Sequence, residues 1–212
     1  MDQFEVELKM KMIGFCGSPR RRGNTEILME MIQSTVEDAG ISMEIVGLAD
    51  VDIGFCSACD ACHVPGGKCI LDDDMDSLAQ KMKEADIWVF GTPVYWWGPT
   101  AQMKVFMDRW YGISKTIFQN KKAILVIPME DTDDKTASHV VGMFQDALDY
   151  VGVEILDTVV AKGVWSAGDV KEKPEILQAA KDAAQKAVSV SSKKPAAKPK
   201  GKGQSKKETN QK

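Results

Sequence analysis

The sequence predicts a single α/β domain: a doubly wound, five-stranded parallel sheet in the order 2-1-3-4-5, with helices on both faces. Three observations lead there. Five short runs of nearly continuous apolar residues recur along the chain, and a stretch with apolar residues at helical spacing accompanies each of them. Strands that are apolar throughout are buried on both faces, as in a parallel sheet lying between two layers of helix. The length agrees: about 188 residues precede a polar tail, and 44% hydrophobic residues supply a sizeable core.

The first run, KMIGFC (11–16), ends in Gly17-Ser18-Pro19 and reads as a buried strand meeting a loop. Asn24 then caps a helix with Leu28, Met31, Ile32, Thr35 and Val36 on one face, closed by Gly40. MEIVGL (43–48) is the second strand, and a cysteine-rich loop follows it. Asp74 caps the next helix, which carries Leu78, Ala79 and Met82; DIWVFGTPVYW (86–96) holds the third strand and the loop beyond it. Met103, Phe106, Met107 and Trp110 mark a helix ended by Gly112, and KKAILVIPM (121–129) is the fourth strand. Val140, Val141, Phe144, Ala147, Leu148 and Val151 mark another helix; VEILDTVVA (153–161) is the fifth strand, and 174–188 the final helix. There is no internal repeat. In such a sheet ligands bind beyond the carboxyl ends of the strands where the winding reverses, so the loops after strands 1 and 3 flank the expected site.

Charge and composition narrow the function. Residues 189–212 hold eight lysines against one glutamate, so the chain's net charge of −4 hides a body, 1–188, at −11. The tail has almost nothing apolar to bury and is expected to be a disordered, solvated appendage. An acidic body argues against nucleic acid as the main partner. No apolar run approaches the roughly 18 residues of a membrane span, and MDQFEVELKM lacks the layout of a signal peptide, so a cytoplasmic protein with no membrane partner is expected. No Ser–His–Asp set or carboxylate pair is evident, and no catalytic acid or base is assigned.

The loop after strand 1 is GSPRRRGNT (17–25). It is neither a P-loop nor a GxGxxG turn, yet it suits a phosphate. Ser18, Asn24 and Thr25 offer neutral donors, Arg20 a charged fork, and a helix N-terminus its backbone N–H groups. Pro19 stiffens the turn and Gly23 is expected to permit a backbone that other residues resist. After strand 3 comes GTPVYWWGPT (91–100), an apolar ledge on which a planar ring could stack against Tyr95 or Trp96. Together the loops describe a ligand with a phosphate at one end and a flat ring system at the other, the shape of FMN. The bland alternatives are an ordinary strand-to-helix loop and rings packed on their own helix or a second subunit.

GSPRRRGNT followed by TPVYWWG resembles the NADPH-dependent FMN reductase group of flavodoxin-like proteins over about residues 11–162. The cysteine loop with Asp73-Asp74-Met75 resembles its iron–sulfur flavoprotein branch. The resemblance implies bound FMN, its phosphate held by Ser18, Arg20, Asn24 and Thr25 and its ring against Pro93, Val94, Tyr95, Trp96 and Gly98. It also implies a homodimer or homotetramer in which one subunit's cluster approaches another's flavin, with Trp96, Trp97 and Trp110 as interface candidates. One departure is the acidic loop PMEDTDDK (128–135), where relatives place small residues; its carboxylates are expected to face water, and it lacks the ligands of a calcium loop.

Four of the five cysteines fall in CSACDACHVPGGKC (56–69), with the spacing C-x2-C-x2-C-x6-C. In a reducing compartment such a cluster is metal-binding or redox-active rather than a disulfide framework. Zinc sites pair ligands from two separated segments. Three cysteines at three-residue intervals instead wrap a compact cluster, and Cys69 would complete the ligands Cys56, Cys59 and Cys62 of a [4Fe–4S] centre, a motif the iron–sulfur flavoproteins share. Zinc and free or redox-active thiols remain the alternatives. His63 is expected at the surface and Cys16 as a buried small hydrophobe. The functional expectation is an FMN-dependent oxidoreductase that takes electrons from NAD(P)H, or from ferredoxin or another carrier through the cluster. The alternatives are an FMN-only NAD(P)H-dependent quinone or flavin reductase with a free-thiol loop, a non-enzymatic electron carrier, and a regulatory module on the same fold. For the last, Gly91-Thr92-Pro93 stands where a phosphoacceptor Asp would be.

Overall fold

A computed structural model of the chain describes residues 10–191. Its sheet has five parallel strands in the order β2-β1-β3-β4-β5, as the sequence predicts. These are β1 (Lys11–Cys16), β2 (Ser42–Gly47), β3 (Ile87–Gly91), β4 (Lys122–Pro128) and β5 (Glu154–Ala161). The helices are α1 (Asn24–Asp38), α2 (Met75–Glu84), α3 (Ala101–Asp108), α4 (Asp134–Val151) and α5 (Pro174–Ser191), with short 3-10 turns at 61–63, 109–112, 115–118 and 169–172. The final helix thus runs three residues past the expected boundary at 188. From 192 onward the lysine-rich tail lies outside the described residues.

Central strands β1, β3 and β4 are buried on both faces because alternate side chains enter two separate cores. Ile13, Phe15, Trp88, Phe90, Leu125 and Ile127 pack under α2, α3 and α4, which contribute Leu78, Met82, Phe106, Phe144 and Leu148. Met12, Ile87, Val89, Ile124 and Val126 pack under α1 and α5. On α5 the buried residues are Ile176, Ala180, Ala183, Ala184 and Ala187; four short side chains let this helix lie close to its neighbours. Two helix starts differ from their expected form. Asp74 stands at the N-cap of α2 but makes no cap hydrogen bond, because its Oδ2 accepts instead from Asp52 N–H, 2.8 Å away. At α1 the cap position is Gly23, and Asn24 is the first helical residue. Its side chain is drawn away by a tertiary contact described below.

Trp110, named from the sequence as an interface candidate, is partly buried. It packs inside its own protomer against Phe90, Phe106 and Phe118, with ring centroids 5.5–5.8 Å apart. Its indole Nε1 is, among the described residues, the buried side-chain polar atom without a hydrogen-bond partner. Among the described residues no helix is long and apolar enough to cross a membrane.

Candidate functional site

The loops after β1 and β3 meet at the carboxyl ends of the strands. Gly17 N–H donates to Gly91 C=O (2.7 Å), and the Thr100 hydroxyl, fully buried, donates to Gly17 C=O (2.7 Å). Thr100 N–H donates to Thr92 Oγ1 (3.0 Å), so the two loops share one buried polar network. Ser18, Arg20, Asn24, Thr25, Pro93, Val94 and Tyr95, all named from the sequence, line a single hollow there. The first turn of α1 opens onto it with no side-chain cap, leaving backbone N–H groups that an anion can satisfy. Gly23 is needed for a different reason from the one expected. Its φ of −75° is ordinary, but a Cβ would stand 2.9 Å from Arg20 C=O; the left-handed residue of this loop is Arg22, φ +55°.

Two of the expected ring contacts stand elsewhere. Trp96 and Trp97, φ +49° and +59°, form the tip of a two-residue turn closed by Tyr95 N–H to Gly98 C=O (2.9 Å) and Gly98 N–H to Tyr95 C=O (3.0 Å). Trp96 is therefore 92% exposed and off the hollow, and Gly98 serves the turn rather than the wall.

The remaining walls are Pro128, Met129 and Glu130 at the end of β4 and the start of the acidic loop, and Val164, Trp165 and Ala167 after β5, a segment to which the sequence assigned no role. The β5 loop is fastened by Asn24, whose Nδ2 donates to Ser166 C=O (2.9 Å) while Oδ1 accepts from Gly168 N–H (3.0 Å) and Val170 N–H (3.3 Å). Arg20 adds a second tie: Nη1 donates to Trp165 C=O (2.8 Å) and the guanidinium lies 5.1 Å from the Trp165 ring centroid. In this structure Asn24 and Arg20 thus shape the hollow. Arg21 pairs with exposed Asp50 at 2.6 Å. In the acidic loop, Asp131 accepts from Thr136 Oγ1 and from the N–H groups of Asp133 and Thr132, which hold its carboxyl below the usual carboxylate range. Asp133 caps α4 and Asp134 pairs with Lys162 (2.7 Å), so these carboxylates face water in local roles while exposed Glu130 lines the hollow.

The four clustered cysteines line a second hollow on the same rim. Cys56 and Cys59 are exposed, Cys62 and Cys69 partly buried, and none forms a disulfide. Ala58 and Asp60, φ +54° and +55°, bend the loop. His63 is exposed, as expected, and stacks on Tyr111 with centroids 4.1 Å apart. What fixes the loop is Arg109, which went unread in the sequence. Its guanidinium, 4% exposed, makes a bidentate pair with Asp73 and donates to Gly54 C=O (2.7 Å) and to Cys69 Sγ (3.4 Å). Burial pushes the Asp73 carboxyl up, but Arg109 and the N–H groups of Gly54 and Met75 outweigh it and hold the group below its ordinary value. Cys16 is buried at the end of β1, and burial pushes its thiol up to about 11, so it is an inert apolar residue. Among the described residues no three His, Cys, Asp or Glu side chains are gathered as a site for a metal ion.

The chain is similar to several known proteins. An iron–sulfur flavoprotein of Methanocaldococcus jannaschii is 44% identical over 100 residues, 47% of this chain and 51% of that one. One from Archaeoglobus fulgidus is 36% identical over 110 residues, 51% and 50% of the two chains. The chain thus spans about half the length of these curated relatives. Its fold matches that of an NAD(P)H:quinone oxidoreductase from Methanothermobacter marburgensis with a TM-score of 0.71, at 20% identity, over 84% of this chain and 95% of that one. The family model described as NADPH-dependent FMN reductase matches residues 10–162, most of the domain and all of its β1-to-β5 core. By that match the chain belongs to the NADPH-dependent FMN reductase family.

Proposed function

We propose that the protein is an FMN-dependent oxidoreductase, supplied with electrons by NAD(P)H or by a carrier such as ferredoxin, with a [4Fe–4S] cluster on Cys56, Cys59, Cys62 and Cys69. The observation that carries this reading is the convergence, in one hollow, of an uncapped helix start and an apolar ledge. The residues fit FMN. Ser18, Thr25 and the first N–H groups of α1 receive the phosphate, with Arg20 adding positive charge. Pro93, Val94, Tyr95, Met129 and Trp165 offer the ring apolar surface, and Asn24 acts on it through the loop it fastens. The donor set of the second hollow suits iron–sulfur chemistry, with four cysteines among its lining residues and a guanidinium beside the last of them.

FMN, when bound, would supply both two-electron and one-electron chemistry, and the cluster one-electron chemistry alone. The protein's share is binding, orientation and electrostatic environment. Thr100 and Thr92 hold the phosphate and ring ends of the hollow at fixed spacing, and Glu130 discourages added negative charge at its edge. An assembly of two or four copies, with exposed Trp96 and Trp97 in the contact, completes the proposal. A second reading, an FMN-only NAD(P)H-dependent reductase with a free-thiol loop, is favoured by the lack of a gathered metal-ion site among the described residues.

The deciding experiment is the ultraviolet–visible spectrum of anaerobically purified protein, with iron and acid-labile sulfide assayed on the same sample. Flavin bands on a broad shoulder that bleaches with dithionite, and about four irons per chain, are expected. Flavin without iron and sulfide selects the second reading. A chain that carries no flavin and takes up none on addition overturns both.

A further inference from the structure

Arg109 ends α3 and reaches across to the cysteine excursion. Its Nη1 donates to Gly54 C=O and Asp73 Oδ2, and its Nη2 to Asp73 Oδ1 (3.2 Å) and Cys69 Sγ (3.4 Å). Gly54 lies two residues before the first clustered cysteine, Cys69 is the last, and Asp73 lies four residues beyond it. One buried side chain therefore ties both ends of the excursion to the domain. A planar fork can serve these acceptors together; an ammonium, a single point of charge, cannot. Asp73 balances the guanidinium charge, so what reaches Cys69 is chiefly a directed N–H donor. Among the described residues Cys69 is the thiol that receives a side-chain hydrogen bond. The opposite thiols, Cys56 and Cys59, are exposed.

We propose that Arg109, fixed by Asp73, is a positioning residue for the metal–sulfur centre. It holds Cys69 as the inner, hydrogen-bonded ligand and raises the centre's reduction potential, leaving Cys56 and Cys59 as the outer ligands from which iron is lost. This rests on the cluster reading above. An N–H donor to a ligating sulfur stabilises the more negative, reduced form, which gives the direction of the shift.

The test uses the full chain, reconstituted anaerobically with iron and sulfide, as wild type, Arg109→Lys and the double variant Arg109→Met/Asp73→Asn. Both variants keep the local charge balanced; the double variant deletes the guanidinium donor to Cys69, and a lysine cannot serve Asp73, Gly54 and Cys69 together. Iron is expected to pass to a ferrous chelator about 10- to 100-fold faster in both, by the usual cost of losing an outer-shell partner. The cluster's midpoint potential is expected to shift downward, while flavin content and the flavin's own potential stay at wild-type values. The shift separates tuning from mere structural support. Wild-type release rates and potentials in both variants overturn the proposal and leave the cluster reading intact. A wild-type chain that takes up no iron and sulfide overturns both. Pulsed electron paramagnetic resonance on reduced wild-type protein with guanidino-15N arginine decides the case without relying on a variant's folding. A 15N coupling to the cluster spin, replaced by 14N features when the label is omitted, is expected, and its absence overturns the proposal.

Discussion

The two hollows on the carboxyl rim are held in opposite ways. The one between the loops after β1, β3, β4 and β5 is walled by the ends of strands and joined by neutral hydrogen bonds from Thr92, Thr100 and Asn24, none more than 9% exposed. The cysteine hollow belongs to an excursion, residues 49–74, in which no residue is fully buried. Its main fixed point is one ion pair, Arg109–Asp73, with side chains 3% and 7% exposed. The first site is thus a consequence of the fold's own packing. The second hangs from the fold by a charge pair, and a bound group has more to do in ordering it.

The largest expected effect falls on that pair. Asp73→Ala leaves a buried guanidinium uncompensated and is expected to cost about 3–5 kcal/mol in urea unfolding of the full chain. A loss near that of a surface substitution breaks the comparison. Acid sharpens it. The native carboxyl titrates below its unfolded value, so its contribution is fully present above the ordinary Asp value of about 3.9 and is lost as pH falls through the depressed native one. The stability gap between wild type and Asp73→Ala is therefore expected to stay constant from neutrality to about pH 5 and to narrow below about pH 4.

Asn24→Ala probes the other hollow. Three hydrogen bonds to the 166–170 loop disappear, and a loss of about 1–3 kcal/mol is expected, with weaker FMN binding in a fluorescence titration and unchanged iron content. Unchanged FMN affinity would show that this wall is not part of the site. The smallest effect is a gain. Trp96 and Trp97 both sit at positive φ in a turn that favours Asn-Gly. Trp96→Asn/Trp97→Gly is expected to raise the stability of the dissociated protomer by about 1–2 kcal/mol in thermal unfolding at low concentration, set by the left-handed strain released, while weakening the proposed assembly.

The sheet and its order were legible because each strand announces itself locally: KMIGFC occupies β1 without a residue's error, and Val140, Phe144 and Leu148 mark the buried face of α4. The loop after β1 and the cysteine cluster stood out in the sequence for the same reason, being contiguous. Asn24 shows where local reasoning stops. A helix start beside an Asn suggests a cap, but partners 142 to 146 residues away compete for its amide and win. Arg109 left still less trace, since its partners lie 36 to 55 positions upstream and only the folded strand order brings them beside α3. Trp165 belongs to a loop with neither periodicity nor clustered chemistry, and enters the site because β5 ends beside β4.

Gly17 gives the first hollow a mechanical property. A Cβ there would meet Thr100 Oγ1 and Met103 Cβ at 2.9 Å, so the strand end is pressed against the start of α3 as well as hydrogen-bonded to it. The distance between the two loops is then a gauge set during folding. A ligand of matching length enters without stiffening the protein, because that configurational entropy has already been surrendered. A shorter or longer one meets a jaw that does not adjust.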